Sequence, residues 1–157
     1  QRLRNRVNKM VHSTLCCAAC GGNGKGCCAN PQSATIEFVD CREVVERLIS
    51  SHLEEIIGLH TDLASGKVSS HILSRSRYRP KDEEGSLTIS LAIGYDGVDV
   101  RGTKEVVWPL CLSILDLKDQ SRVCARNVIV ASIYHSQFHP TTAVFDRLMY
   151  HLLLSLE

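Results

Sequence analysis

The chain has 157 residues, 44% of them hydrophobic, with 18 basic and 17 acidic side chains and a formal net charge of +1. That suits one domain, or one domain with a small appendage, built on a real core. No apolar run reaches the ~18 residues that a membrane-spanning helix needs, and no apolar stretch follows the basic N-terminus to make a secretory signal, so no membrane partner is expected.

The charge is uneven. Arg2, Arg4, Arg6, Lys9 and Lys25 all precede the first acid, Glu37, so residues 1–36 carry +5. The remainder, with 13 bases and 17 acids, carries −4. A basic head on a mildly acidic body permits nucleic-acid contact without requiring it, and a solubilising or linker segment fits the same pattern. The chain begins at Gln1 rather than Met, which suggests a piece of a longer protein.

Residues 1–11 have Leu3, Val7 and Met10 or Val11 at helical spacing and suggest a short helix or arm. Residues 12–33, HSTLCCAACGGNGKGCCANPQS, hold five of the eight cysteines. Such clustering in a glycine-rich stretch, without a secretory signal, points to metal binding in a reducing compartment rather than to a disulfide framework. Cys17 and Cys20 have the spacing of a zinc knuckle, in which two thiolates on one tight turn reach a tetrahedral metal at ~2.3 Å. Gly21, Gly22, Gly24 and Gly26 let the backbone turn back and return Cys27 and Cys28 to the same place. The expected ligands are Cys17, Cys20, Cys27 and Cys28, with Cys16, His12 and Cys41 in reserve. Adjacent cysteines point apart in extended backbone, so one of each doublet is a candidate bystander. A loop of this composition builds no core, and structural Zn²⁺ would supply its folding energy. Free thiols are the alternative. No Asp or Glu lies nearby to serve a catalytic zinc as base.

Residues 34–39, ATIEFV, alternate as a short strand. Residues 40–58 predict an amphipathic helix, with Asp40 as N-cap and Glu43 completing a capping-box spacing. Val44, Val45, Leu48, Ile49, Leu53, Ile56 and Ile57 form its apolar face, His52 lies near that face, and Gly58 is the expected stop. Leu59 to Leu63 offer an extension of the helical region, and Val68, Ile72 and Leu73 suggest one more short helix. Arg75, Arg77, Arg79 and Lys81 follow with Tyr78 among them, a mixture that suits a phosphate backbone and a stacked base. A solvated loop fits that run as well.

Residues 87–95, 106–116 and 126–134 predict three strands joined by short connections, an antiparallel meander. Pro109 argues for an edge position or a bulge in the second. Residues 141–156 predict a closing helix capped by Thr141 or Thr142, with Val144, Phe145, Leu148, Met149, Leu152, Leu153 and Leu156 on its apolar face. The fold class is therefore α+β: a zinc-stabilised N-terminal loop, an amphipathic helix, then a β-β-β-α unit. Three segments are expected: 1–39, a basic arm with the zinc-binding residues; 40–85, a helical connector with a basic loop; and 86–157, the β-β-β-α unit. Asp96, in Tyr95-Asp96-Gly97, ends the first strand of that unit. Such a tripeptide is also a turn, in which Asp accepts local backbone bonds and Gly takes positive φ. His135 and His139 flank the turn that ends at Pro140.

The order of these features resembles transposase-derived proteins of animal genomes and, more distantly, plant CACTA-type transposases. The residues that carry the resemblance are the cysteine segment, FVDCREVVERLI, Asp96-Gly97-Val98, VVWPLCLSILDL with Trp108-Pro109, and RNVIVASIYHSQFHPTTAVF up to Pro140 and beyond. The resemblance implies the start of an RNase H-like domain of the DDE type, truncated after its first helix. It also implies that Asp96 stands at an ancestral catalytic position, one of several carboxylates holding two Mg²⁺ ions in phosphoryl transfer. The later carboxylates of such a domain are absent from this chain, and Asp99 and Asp116 are the nearby acids. The expected function is non-catalytic: a nuclear module that binds a protein partner or a second copy, with no small-molecule substrate. The alternatives are a zinc-dependent DNA- or RNA-binding module that uses Arg2, Arg4, Arg6, Lys25, Arg75, Arg77, Arg79 and Lys81, and a fragment of an active transposase.

Overall fold

The computed structural model describes residues 11–23, 26–69, 71–75 and 86–157, the side chain of Arg75 excepted. The expected N-terminal helix, Lys25 and the run from Arg77 to Lys81 lie outside the described residues. In chain order the elements are β1 (Val11–Cys17), β2 (Ser33–Val39), α1 (Arg42–Ser51), α2 (Leu53–Ala64), β3 (Leu91–Tyr95), β4 (Val98–Asp99), β5 (Val106–Ile114), α3 (Asp119–Arg122), β6 (Ile129–Ser136) and α4 (Thr142–Leu156). Short 3₁₀ turns lie at Ile72–Arg75 and Ala125–Asn127. This is an α+β protein. Its sheet runs in the order β1-β2-β6-β5-β3, with β4 also paired to β5.

The sheet departs from the sequence reading at one end. The stretch expected to be an irregular cysteine loop begins with a strand. β1 pairs antiparallel with β2 from Val11↔Val39 to Cys17↔Ser33. Only residues 18–32 are left to form the loop. β2 in turn pairs antiparallel with β6, with Ile36 opposite Tyr134. The three-strand meander is therefore extended by a hairpin. β5 has neighbours on both sides, so Pro109 is not on an edge strand. The expected helix at Val68, Ile72 and Leu73 is only a 3₁₀ turn.

The chain forms two compact units that interleave in sequence and cut across the boundaries expected at 39 and 85. One holds the described residues up to Glu43 together with Gly94–Cys111 and Val130–Glu157. The other holds Val44–Ile93 and Leu112–Ile129.

In the first unit, cross-strand partners share a face. Cys16 and Ala34, and Ile36 and Tyr134, stand in register and are buried. Phe38, on the same face of β2, lies against His151 of α4, with ring centroids 4.1 Å apart. α4 buries Val144, Leu148 and Leu152, the i, i+4, i+8 stripe that its sequence carries. Each of these side chains contributes about 1.5–3 kcal/mol by leaving water. Leu153, assigned to the same face by periodicity, is 58% exposed.

In the second unit the predicted long helix is two. Ser50 and Ser51 donate their hydroxyls back to the Glu46 and Leu48 carbonyls. Bonds of this kind compete with the helical ladder and bend it, and the break falls at His52. Gly58 does not stop α2; it sits inside that helix, open to solvent. The stop is Gly66, with φ +70, where the N–H groups of Gly66 and Lys67 return to the Leu63 and Asp62 carbonyls. The break also re-aims the apolar face. Ile57 is 50% exposed, while Leu59 and Leu63 are buried beside Leu73. Ile56 packs with Ile114 and Leu117, with Leu48, Ile49, Ile89 and Leu91 around them.

Candidate metal centre

The loop from β1 to β2 brings four thiols together. The Sγ atoms of Cys17, Cys20, Cys27 and Cys28 all lie within 4.8 Å of one another. Cys17 and Cys28 are 3.7 Å apart, and Cys20 and Cys27 are 3.3 Å apart. A tetrahedron with Zn–S bonds of ~2.3 Å has edges of ~3.8 Å. A disulfide needs ~2.05 Å, and all eight cysteines are free. The donor set and its spacing therefore fit one four-coordinate metal ion such as zinc. Among the described residues it is the only group of three or more His, Cys, Asp or Glu donors able to hold one.

The loop is built for this closeness. Cys17 is the last residue of β1, and its carbonyl accepts the Gly21 N–H at 2.8 Å while its own N–H reaches the Gly22 carbonyl at 2.9 Å. A Cβ on Gly22 would sit 2.9 Å from the Cys27 Cβ, so a side chain there would push the two halves of the cluster apart. Gly21 has φ +70, and a Cβ on it would stand 2.7 Å from the Ala143 carbonyl oxygen. Gly21 is thus where the loop touches the start of α4. Two more bonds hold that contact. Arg147 donates to the Gly21 carbonyl at 2.7 Å, and the Thr141 hydroxyl donates to Ala18 at 3.1 Å. Thr141 is the N-cap residue of α4, but its hydroxyl goes to the loop rather than to the helix.

The cluster also prepares one thiolate. The Gln32 N–H points at the Cys17 sulfur, 3.3 Å away. That bond outweighs burial and, with further backbone N–H groups, holds the Cys17 thiol down at about 6. Cys27 is pushed up to about 12 by its hydrogen bond with Cys20, by burial and by the neighbouring sulfurs. The neighbouring thiols and burial thus oppose a second thiolate beside Cys17. A bound cation would remove that penalty and deprotonate all four.

The reserve ligands are elsewhere. Cys16 is buried on the opposite face of β1 from Cys17, and burial raises its thiol. Cys41 is buried against the Val39 carbonyl, and burial lifts it to about 11. His12 is exposed on β1 opposite Phe38. The expectation that one of each doublet stands aside holds for Cys16-Cys17, which lie in a strand. It fails for Cys27-Cys28, which lie in turning backbone and both join the cluster.

Asp96 is exposed and accepts the N–H of its neighbour Gly97 at 2.8 Å. Gly97 does not take positive φ. It is required for a different reason: a Cβ there would run into the Trp108 indole. Asp99 is exposed in β4. His135 faces Glu105 at 3.2 Å, and His139 stands edge-on to Trp108, so each histidine has its own partner. Of the basic residues singled out, Arg75 lies in the 3₁₀ turn at Ile72–Arg75 and the others fall outside the described residues.

One polar site was not anticipated. In the second unit Asp116, 1% exposed, meets His60 Nε2 at 2.7 Å with one oxygen and accepts the Ser90 N–H at 2.6 Å with the other. Beside it, Glu55 accepts the Lys118 N–H and the Ser121 hydroxyl, at 2.7 and 3.0 Å, and faces His52 at 3.1 Å. Burial raises the Glu55 carboxyl, but these bonds outweigh it and hold it below the usual range.

Together these features define an α+β protein with a four-cysteine group able to hold a metal. The chain belongs to the family described as Protein of unknown function (DUF1258), whose model matches residues 2–157. No curated protein and no solved structure matches it.

Proposed function

We propose that the chain is a zinc-stabilised, non-catalytic module of a transposase-derived nuclear protein, and that it joins a second copy of itself by strand addition. One observation carries the reading. β3 closes one end of the sheet, so its outer edge has no strand partner among the described residues, and Ile93 in it is 45% exposed. Unpaired N–H and C=O groups on such an edge are a template for another strand. Zinc at Cys17, Cys20, Cys27 and Cys28 has a structural role in this reading, fixing the β1–β2 loop against α4. The non-catalytic assignment is supported by the setting of Asp96, an exposed turn residue that accepts the N–H of its neighbour Gly97. Asp116 supports it too, because both its oxygens are committed to His60 and Ser90.

The test is solution mass across a concentration series, for the wild type and for Ile93→Lys. A dimer that dissociates in the variant supports the reading. A wild type that stays monomeric at every concentration overturns self-association, and a heterologous protein partner then takes its place. Binding of single- or double-stranded DNA that falls steeply with salt would favour the nucleic-acid alternative.

A further inference from the structure

A second site lies in the first unit, apart from the cysteines. Side chains of β1, β2, β6 and α4 line a cleft of about 440 Å³, within the ~300–1,000 Å³ of small-molecule sites. Its apolar surface includes Leu152 and the ring of Phe38, against which His151 is tilted by 34°. Burial lowers the basicity of His151, and Arg147 adds to the effect. Ser132 lies deep in the cleft, 1% exposed, and its hydroxyl has no hydrogen-bond partner among the described residues. A buried hydroxyl left in that state costs about 1–3 kcal/mol. Toward solvent the lining carries Arg147, His12 and Asp40. Arg147 gives one N–H to Gly21, and Asp40 already accepts the Arg42 N–H.

These groups specify a ligand in parts. Flat rings and aliphatic walls accept a planar ring. Arg147 with His12 near the exposed end favours an anionic group there. We propose that this cleft binds a nucleotide, with the base against Phe38 and His151 and the phosphate toward Arg147 and His12. The same chemistry is presented by a free mononucleotide and by the terminal nucleotide of a single strand. The sequence reading anticipated no small-molecule ligand, because these residues are brought together by the pairing of β1, β2 and β6 and by α4.

The test is calorimetric titration of the full chain with AMP, UMP, adenosine, inorganic phosphate, and single-stranded oligonucleotides with and without a 5′-phosphate. Saturable AMP or UMP binding is expected, with adenosine about tenfold weaker. A phosphorylated oligonucleotide that binds as tightly as AMP identifies a strand end as the source, and one that fails to compete identifies the free nucleotide. No saturable mononucleotide binding at millimolar concentration overturns the proposal. Phe38→Ala and His12→Ala should weaken binding about tenfold and about threefold. His12 is exposed, so His12→Ala should melt at the same temperature as wild type while binding more weakly. Undiminished binding in Phe38→Ala and His12→Ala would show that the cleft is not the binding site.

Discussion

The two compact units each concentrate polar chemistry, and they do so in opposite ways. In the first, four cysteines gather within a twelve-residue stretch, 17–28, and their sulfurs are held together by backbone geometry. In the second, His60 and Asp116 meet across 56 residues, and Glu55 reaches Lys118 across 63. The cysteine group could hold a metal ion, and without one a second thiolate beside Cys17 is opposed by burial and by the neighbouring thiols. The His60–Asp116 pair is complete as it stands, with both carboxylate oxygens satisfied at 2.6–2.7 Å. A site completed by a metal would depend on its supply, whereas a site closed by its own partners depends only on folding.

The largest expected effect tests the first half of that contrast. Chelation of the metal, or Cys17→Ser or Cys20→Ser, should abolish amide protection in β1 and in the loop, since structural zinc contributes on the order of 10 kcal/mol in small zinc modules. Metal analysis should return one zinc per chain from reduced, folded protein. Zero zinc in protein that keeps this protection would remove the metal assignment. Acid should release the zinc, because each protonated thiol is a lost ligand.

The next effect belongs to the closed site. Asp116→Ala should cost about 3–5 kcal/mol in denaturant unfolding, because it strips His60 and the Ser90 N–H of their buried partner. Unlike the cysteine variants, it should not respond to added zinc. A loss under 1 kcal/mol would show that the pair is loosely held.

Glu55→Gln should cost about 1–2 kcal/mol at pH 7, through weakened bonds at the start of α3. The sign with pH follows from its lowered folded value. A carboxyl that is more acidic folded than unfolded contributes its full stabilisation above its unfolded value, 4.5. That contribution is lost as pH falls below 4.5 through the folded value. The gap between wild type and Glu55→Gln should therefore shrink in this acid range, and a gap that is flat down to pH 2 would contradict the assignment.

The smallest effect is expected at Asp96→Asn, within about 0.5 kcal/mol. Its carboxylate holds only the adjacent N–H of Gly97, and Asn keeps that acceptor. A strong nuclease or strand-transfer activity in wild type that vanishes in this variant would replace the non-catalytic reading.

How legible each region was follows from how local its causes are. Cys17-x-x-Cys20 is a short-range signal, and so are the apolar stripe of α4 and the alternation of β2, where Ala34 and Ile36 are buried. The strand character of Val11–Cys17 was hidden by the cysteine-rich composition and shows only in the pairing with β2. The end of α2 was misplaced because two glycines competed. Gly58 looks like a stop in sequence, but only Gly66 adopts the left-handed backbone that terminates the helix. The break at His52 was missed because serine hydroxyls bonding back to helical carbonyls leave no periodic mark.

The sequence by itself therefore determined the α+β class, the cysteine set and the buried stripe of the last helix, all of which depend on neighbours within a few turns of chain. Tertiary structure alone decided that Cys16 leaves the cluster while Cys27 and Cys28 both join it, that Asp116 pairs with His60, and that Phe38 and His151 meet beside an open cleft. Those outcomes depend on strand register, turning backbone and long-range pairing. None of them is written in the spacing of a single segment.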